Sequence, residues 1–152
     1  MARAGFYVVQ NSDIRFGRDG RWYADDELIE NTRIAALFAR HIERRPDGGY
    51  MLHIADERAP IRVDDTPYVI TGSMSDASAI WIEINDGTRE RLDPRTLAVG
   101  DDSVLYCQIK GGSEPARFLR AAYYQVADHI GATAGGGFVL RLPSGEYPIA
   151  RR

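Results

Sequence analysis

The sequence predicts an α+β protein made of two similar units, each a helix packed on a small antiparallel sheet. Three observations predict it. Short alternating apolar runs separated by Asp-Gly and Gly-Gly turns recur along the 152-residue chain. Two stretches carry apolar residues at helical spacing. Finally, Gly48 to Ile61 can be laid without a gap on Gly136 to Ile149. Tyr50 then falls on Phe138, Leu52 on Leu140, Pro60 on Pro148 and Ile61 on Ile149. The same offset of 88 positions (129 − 41) brings Ala39 to Ala127, His41 to His129 and Ile42 to Ile130. A register shared across helix, turn and two strands reads as a duplicated unit. Coincidence between two generic helix-to-hairpin passages is the plainer alternative, because apolar alternation alone supplies part of the match.

The elements follow in order. Ile14-Arg15-Phe16 and Arg21-Trp22-Tyr23 flank Asp19-Gly20 and form a hairpin, since glycine accepts the positive φ of the turn. A helix capped by Asn31 or Thr32 carries Ile34, Leu37, Phe38 and Ile42 on one face. Arg44 and Arg45 suit its C-terminal end, and Pro46 to Gly49 stop it. Strands follow at Tyr50 to Ile54, Ile61 to Val63 and Tyr68 to Thr71, with Thr66-Pro67 breaking the ladder between the last two. Ile80, Ile82 and Ile84 alternate with Trp81, Glu83 and Asn85, and Asp86-Gly87 turns the chain into a strand around Thr88 to Leu92. Val104 to Lys110 is a further strand. A second helix begins near Pro115, carries Phe118, Leu119, Ala122, Val126 and Ile130, and is capped by Gly131. Phe138 to Leu142 and Tyr147 to Ile149 close the chain as a hairpin. The expected domains are 1–67 (hairpin, helix, strands) and 68–152 (antiparallel strands, helix, hairpin).

Composition bounds the function. The hydrophobic share of 44% and charged share of 27% are those of a globular protein. The net charge of −3 supplies no field for nucleic-acid phosphates, so no nucleic-acid partner is expected. The cations are almost all arginine, with Lys110 the only lysine. This makes bidentate anion recognition available, although a codon bias with solvated arginines explains it too. The lone Cys107 alternates with Leu105 and Ile109 and is expected to point into the core, which agrees with a reducing cytoplasm. No signal peptide or membrane span is read in the pattern, so no membrane partner is expected.

Among the three histidines, His41 and His129 share a repeat position beside their helical stripes, which favours packing over a metal pair. His53 matches Arg141 and is expected in solvent. The stretch Glu57 to Asp65 is the most charged. With Ile61 and Val63 inward, Arg62 and Asp64 share the opposite face. The adjacent carboxylates Asp64 and Asp65 suit acid–base work or a divalent cation; an exposed strand face ending in a turn is the plainer reading. Arg117, Arg120 and Tyr123 fall along one side of the expected second helix, suiting an anion, a protein partner or a packing seam. No GxSxG, HExxH, P-loop or Rossmann pattern occurs, and Gly135-Gly136-Gly137 follows a helix instead of opening one.

Arg18-Asp19-Gly20-Arg21-Trp22-Tyr23, the helix ending in Phe38-Ala39, and above all Glu57 together with Ile61-Arg62-Val63-Asp64-Asp65-Thr66-Pro67-Tyr68 resemble a bacterial family of unknown function, number 1285 in the domain-of-unknown-function series. The resemblance covers nearly the whole chain. It implies a duplicated α+β arrangement whose second half is superficially like a pleckstrin-homology fold, and a role in signalling or regulation with a pocket where the halves meet. The sequence departs from the family pattern at Asp64, where glutamate is common, and at Tyr68, where phenylalanine is common.

The expected function is a non-enzymatic regulatory binding module without a cofactor, taking a small anionic ligand or a protein partner. Its candidate site residues are Arg18, Trp22, Glu57, Arg62, Asp64, Asp65, Arg117, Arg120 and Tyr123, at the interface of the units. The alternatives are a small hydrolase using the carboxylates of the 57–65 stretch with a histidine or metal, and nucleic-acid binding, against which the acidic balance argues.

Overall fold

The computed structural model describes residues 12–152. The chain divides into two compact units, residues 1–67 and 68–152. Both are α+β and rich in sheet, and two α-helices occur among the described residues.

The N-terminal unit runs β1 (Ile14–Phe16), β2 (Trp22–Ala24), β3 (Glu27–Leu28), α1 (Thr32–Ala39), β4 (Ile42–Arg44), β5 (Tyr50–Ile54) and β6 (Glu57–Val63). These strands form one sheet in the order β3-β2-β1-β6-β5-β4. The Asp-Gly hairpin forms as the sequence indicates. Gly20, at φ 80°, donates to the Gly17 carbonyl at 3.0 Å, and Asp19 Oδ1 accepts the Arg21 amide at 3.0 Å. Alternation sends Ile14, Phe16 and Trp22 to one face, where all three are buried. The Trp22 ring lies 4.7 Å from Phe16 and 5.4 Å, edge-on, from Phe38 of α1. Asn31 caps α1, its side-chain oxygen accepting from the Arg33 and Ile34 amides.

Helix α1 is shorter than its apolar stripe. Ile42, read as the next helical position, begins β4 instead, and Arg44 and Arg45 lie in that strand and the following turn, not at a helix end. Pairing overrides periodicity here. Ile42, Glu43 and Arg44 stand opposite Leu52, Met51 and Tyr50, and the turn Arg45-Pro46-Asp47-Gly48 returns the chain with Gly48 at φ 91°.

The C-terminal unit contains β7 (Tyr68–Ser75), β8 (Ile80–Ile84), β9 (Arg89–Arg91), a 3-10 turn (Pro94–Thr96), β10 (Ala98–Val99), β11 (Leu105–Ile109), β12 (Glu114–Phe118), α2 (Arg120–Ala127), β13 (Ile130–Ala132), β14 (Phe138–Leu142), β15 (Gly145–Pro148) and β16 (Ala150–Arg151). Seven strands pair in the order β16-β10-β11-β12-β7-β8-β9, and β13-β14-β15 make a second sheet. The isoleucines of β8 are buried as alternation requires, and so is Cys107 on β11. Burial, with the Glu90 carboxylate adding to it, pushes the Cys107 thiol up to about 12. Lys110, in the exposed-glycine turn after β11, extends its Nζ to Asp86 at 2.7 Å, while its own amide donates to Glu90.

The second helix is also shorter than the sequence suggested. Pro115 lies in β12, opposite Gln108, and Arg117 and Phe118 are in that strand too. The parallel pairing of β12 with β7 begins only at Ala116, so proline's missing amide hydrogen costs no bond on that side. Ile130 and Gly131 are in β13, not in the stripe and cap of a helix. The Arg141 guanidinium crosses over Gly131, and it is a mobile side-chain end that would have to shift for any larger residue there. The sheets also differ from the antiparallel expectation. β1–β6, β7–β12 and β10–β16 are parallel pairs. Each joins strands far apart in sequence, which local turn signals cannot reveal.

The two units share one run of local structure. Adding 88 positions takes α1, β4 and β5 residue for residue onto α2, β13 and β14. Ile42–Leu52 and Ile130–Leu140 are cross-strand partners, as are Met51–Pro60 and Val139–Pro148. The His53 amide donates to His41 and the Arg141 amide to His129, at 2.9 and 2.8 Å. The glycine turns close identically, Gly48 onto Arg45 and Gly136 onto Thr133.

Candidate functional site

The outer face of the N-terminal sheet is a ladder of charges. Strand alternation that buries Ile14, Phe16 and Trp22 turns Arg15 and Tyr23 outward, and the parallel register sets Arg15 beside Arg62. Arg15 donates to Asp64 at 2.6 Å and its guanidinium lies 4.3 Å from the centre of the Tyr23 ring. Tyr23 donates its hydroxyl proton to Asp19 at 2.6 Å, and this bond raises its pKa. Arg62 grips both oxygens of Asp13, at 2.9 and 2.6 Å. That grip lowers the pKa of Asp13 and raises that of Arg62. Asp26 lies 3.7 Å from Arg15 and 3.8 Å from Arg62. The charges of this face are thus matched to one another.

The sequence-nominated residues fall as follows. Arg62 and Asp64 belong to this ladder. Asp65, half-buried, follows it in the loop after β6. Arg18 sits exposed in the β1–β2 turn, and Glu57 is exposed at the far end of β6. Trp22 is not a ligand residue: it is 2% exposed and fills the core. Arg117 lies on β12, its Nη1 3.4 Å from the Tyr106 hydroxyl, and so is not on a helix with Arg120. Arg120 is the exposed first residue of α2. Tyr123, three residues on, stacks with Tyr124 at 5.8 Å between ring centres.

No histidine of the N-terminal unit joins the aspartates. His53 stands opposite Arg58, six strand positions from Asp64, or roughly 20 Å. It is not simply solvated: Nδ1 contacts the Glu43 carboxylate across β4–β5. His41 donates from Nδ1 to the Leu37 carbonyl at 2.7 Å, consistent with packing. Among the described residues no group of three or more His, Cys, Asp or Glu side chains is arranged to hold a metal ion, and no helix is long and apolar enough to cross a membrane.

A different place has the shape of a binding site. In the C-terminal unit, a cleft of about 330 Å³ opens between the start of β8, the segment joining β9 to the 3-10 turn, and the β14–β15 hairpin. Ala79, Ile80, Leu92, Pro94 and Leu142 give it an apolar wall. Arg91, Asp93, Arg95, Ser144 and Tyr147 supply its polar groups. Asp93 caps the 3-10 turn, its Oδ1 accepting the Arg95 amide at 3.1 Å. The Ser144 and Tyr147 hydroxyls share a hydrogen bond of 2.9 Å. Both arginines are exposed, and among the described residues neither side chain meets a carboxylate. Sequence reading missed this cleft because its residues come from segments some 50 positions apart. The one local signal is Arg91-Leu92-Asp93-Pro94-Arg95, two arginines flanking an Asp-Pro turn start.

The fold and the ladder together define a sheet-rich α+β protein with two α-helices and no metal-ligand cluster among the described residues. The comparisons add a likeness to a family. Residues 7–66 match the family model described as the domain of unknown function (DUF1285), N-terminal domain. A DUF1285 family protein from Silicibacter pomeroyi DSS-3 has a similar structure, with a TM-score of 0.72 at 20% identity, over 93% of this chain and 81% of that one. A DUF1285 family protein from Shewanella baltica OS155 gives a TM-score of 0.61 at 21% identity, over 78% of this chain and 92% of that one. No curated protein matches the chain. The resemblance read from Glu57 to Tyr68 is therefore shown, and the structural likenesses carry the fold.

Proposed function

We propose that the protein is a non-enzymatic regulatory module that binds a small anionic ligand in the cleft of its C-terminal unit. One observation carries the reading: Arg91 and Arg95 line an apolar cleft and, among the described residues, have no carboxylate partner. Guanidinium groups left unpaired beside a concave apolar wall are the usual means of orienting an anion. The ladder of the N-terminal unit contrasts with this, since its cations are already satisfied.

The same reading takes the chain as a product of duplication. Support comes from the hydrogen bonds and strand registers repeated 88 positions (129 − 41) apart in the two units. The second copy contributes its hairpin, through Leu142, Ser144 and Tyr147, to the cleft wall. A pleckstrin-homology-like character for the C-terminal unit is part of the proposal, supported only by its order of strands followed by a helix.

The test is a thermal-shift screen of the full chain against small acids, nucleotides and divalent cations, repeated on the double variant Arg91→Ala, Arg95→Ala. A ligand that binds only the folded state raises Tm with concentration. At least one anion is expected to raise Tm for the wild type and to lose that effect in the double variant. No shift with any anion, or a shift unchanged by the double substitution, would overturn the reading.

A further inference from the structure

The cleft's lining restricts the ligand beyond its charge. Resting on the reading above, we infer that the site takes a small organic monocarboxylate with a compact apolar body, in preference to a phosphate or nucleotide. Arg91 ends β9, and Arg95 lies four residues on, within the 3-10 turn. Both arginines line the same cleft, and a guanidinium suits the planar, two-oxygen geometry of a carboxylate.

Asp93 stands between them in the chain and also lines the cleft. Its Oδ1 is held by the Arg95 amide, so its charge stays in place. Two cations and one fixed anion leave a net of one positive charge (2 − 1) at the site. That balance matches a single carboxylate. A dianionic phosphate or a polyphosphate would meet the Asp93 carboxylate with charge uncompensated.

The remaining wall is apolar: Pro94 and Leu142 are half-buried at its surface, with Ala79, Ile80 and Leu92 packed beneath them. Polar ligand atoms placed against Pro94 and Leu142 would be desolvated without partners, so the ligand's body is itself apolar. The volume, about 330 Å³, is at the small end of ligand sites, which fits one ring or a short branched chain. The Ser144–Tyr147 pair adds two hydroxyls to the lining. One hydroxyl donates to the other, leaving a single proton available for a hydroxyl or keto oxygen on the ligand.

Calorimetric titration of the full chain tests this with benzoate, phenylacetate and 4-methyl-2-oxopentanoate as acids, benzamide as the neutral analogue, and inorganic phosphate and AMP as competitors. The acids are expected to bind at least tenfold more tightly than benzamide, phosphate or AMP. Arg91→Gln and Arg95→Gln are each expected to weaken the acids about tenfold, with Tm unchanged because both side chains are exposed. Leu142→Ser is expected to weaken the ring-bearing acids several-fold. Phosphate or AMP binding more tightly than every acid, with the same loss in the arginine variants, would overturn the ligand class and leave the site standing. Failure of all these anions to bind, with the arginine variants indistinguishable from wild type, would overturn the site as well.

Discussion

The arginines of the N-terminal sheet face and those of the C-terminal cleft are the same residue in opposite circumstances. Arg15 and Arg62 have carboxylates at 2.6 Å, and Arg15 also lies on an aromatic ring. Arg91 and Arg95 line a cleft and, among the described residues, meet no carboxylate. A guanidinium with a partner contributes to holding strands in register, whereas one without a partner retains its full capacity for a ligand. The difference separates structural from functional arginine in a chain whose cations are nearly all of that type.

Substitutions in the N-terminal unit should therefore cost stability in proportion to the burial of the side chain removed. The largest loss is expected at Trp22, whose ring fills the space between Phe16 and Phe38. Trp22→Ala should destabilise that unit by about 3–5 kcal/mol in denaturant unfolding. A small loss would mean that Trp22 faces a ligand after all. Arg15→Ala comes next, at about 1–2 kcal/mol, because Arg15 and Asp64 are both largely shielded from solvent. Ligand titrations of this variant should match wild type; a change in affinity would erase the distinction drawn here.

Acid should act on both regions in one direction. The Arg62 hydrogen bond holds Asp13 below the ordinary carboxylate value. Asp76 is held lower still by the Ser78 amide, the Trp81 indole N–H and the Ala79 amide. In Asp86, burial pushes the pKa up, but the Lys110 ammonium and the Thr88 donors outweigh it and the net effect is lowering. A group depressed in the folded state contributes stability above its ordinary pKa, near 3.8 for these aspartates, and that contribution disappears as pH falls through the folded value. Stability should thus be flat from about pH 5 to about pH 8 and fall below about pH 4, with a second fall in alkali, where the Cys107 thiol and the Tyr23 phenol, both raised in the folded state, ionise more readily in the unfolded chain. Trp81 fluorescence reports the Asp76 contact, and Asp76→Asn should remove its acid step. Smallest of all is the expected effect of Arg62→Ala: with more than half of its side chain exposed, Tm should hardly move.

Hairpins were legible because Asp19-Gly20 and Asp86-Gly87 state their turn geometry locally. The helix–strand–strand run shared at an offset of 88 positions (129 − 41) was legible because Tyr50/Phe138 and Leu52/Leu140 hold equivalent places in paired strands. The helix ends were not. Ile42 and Ile130 lie four residues after Phe38 and Val126, so a strand entered directly from a helix continues the helical stripe by accident of spacing. Trp22 was misjudged because a core aromatic beside arginines in sequence faces away from them once the strand alternates. Arg91, Arg95 and Tyr147 form a site only after long-range packing has brought a hairpin to a turn, and no spacing rule encodes that.

Lys110 has a practical use. As the chain's only lysine, it gives a lysine-specific protease a single bond to cut, in the turn between β11 and β12. The two products would remain complementary fragments, since Tyr106 to Ile109 pair with Glu114 to Arg117. Cutting requires Lys110 to leave Asp86 for the protease, so the rate of nicking measures how often that ion pair opens.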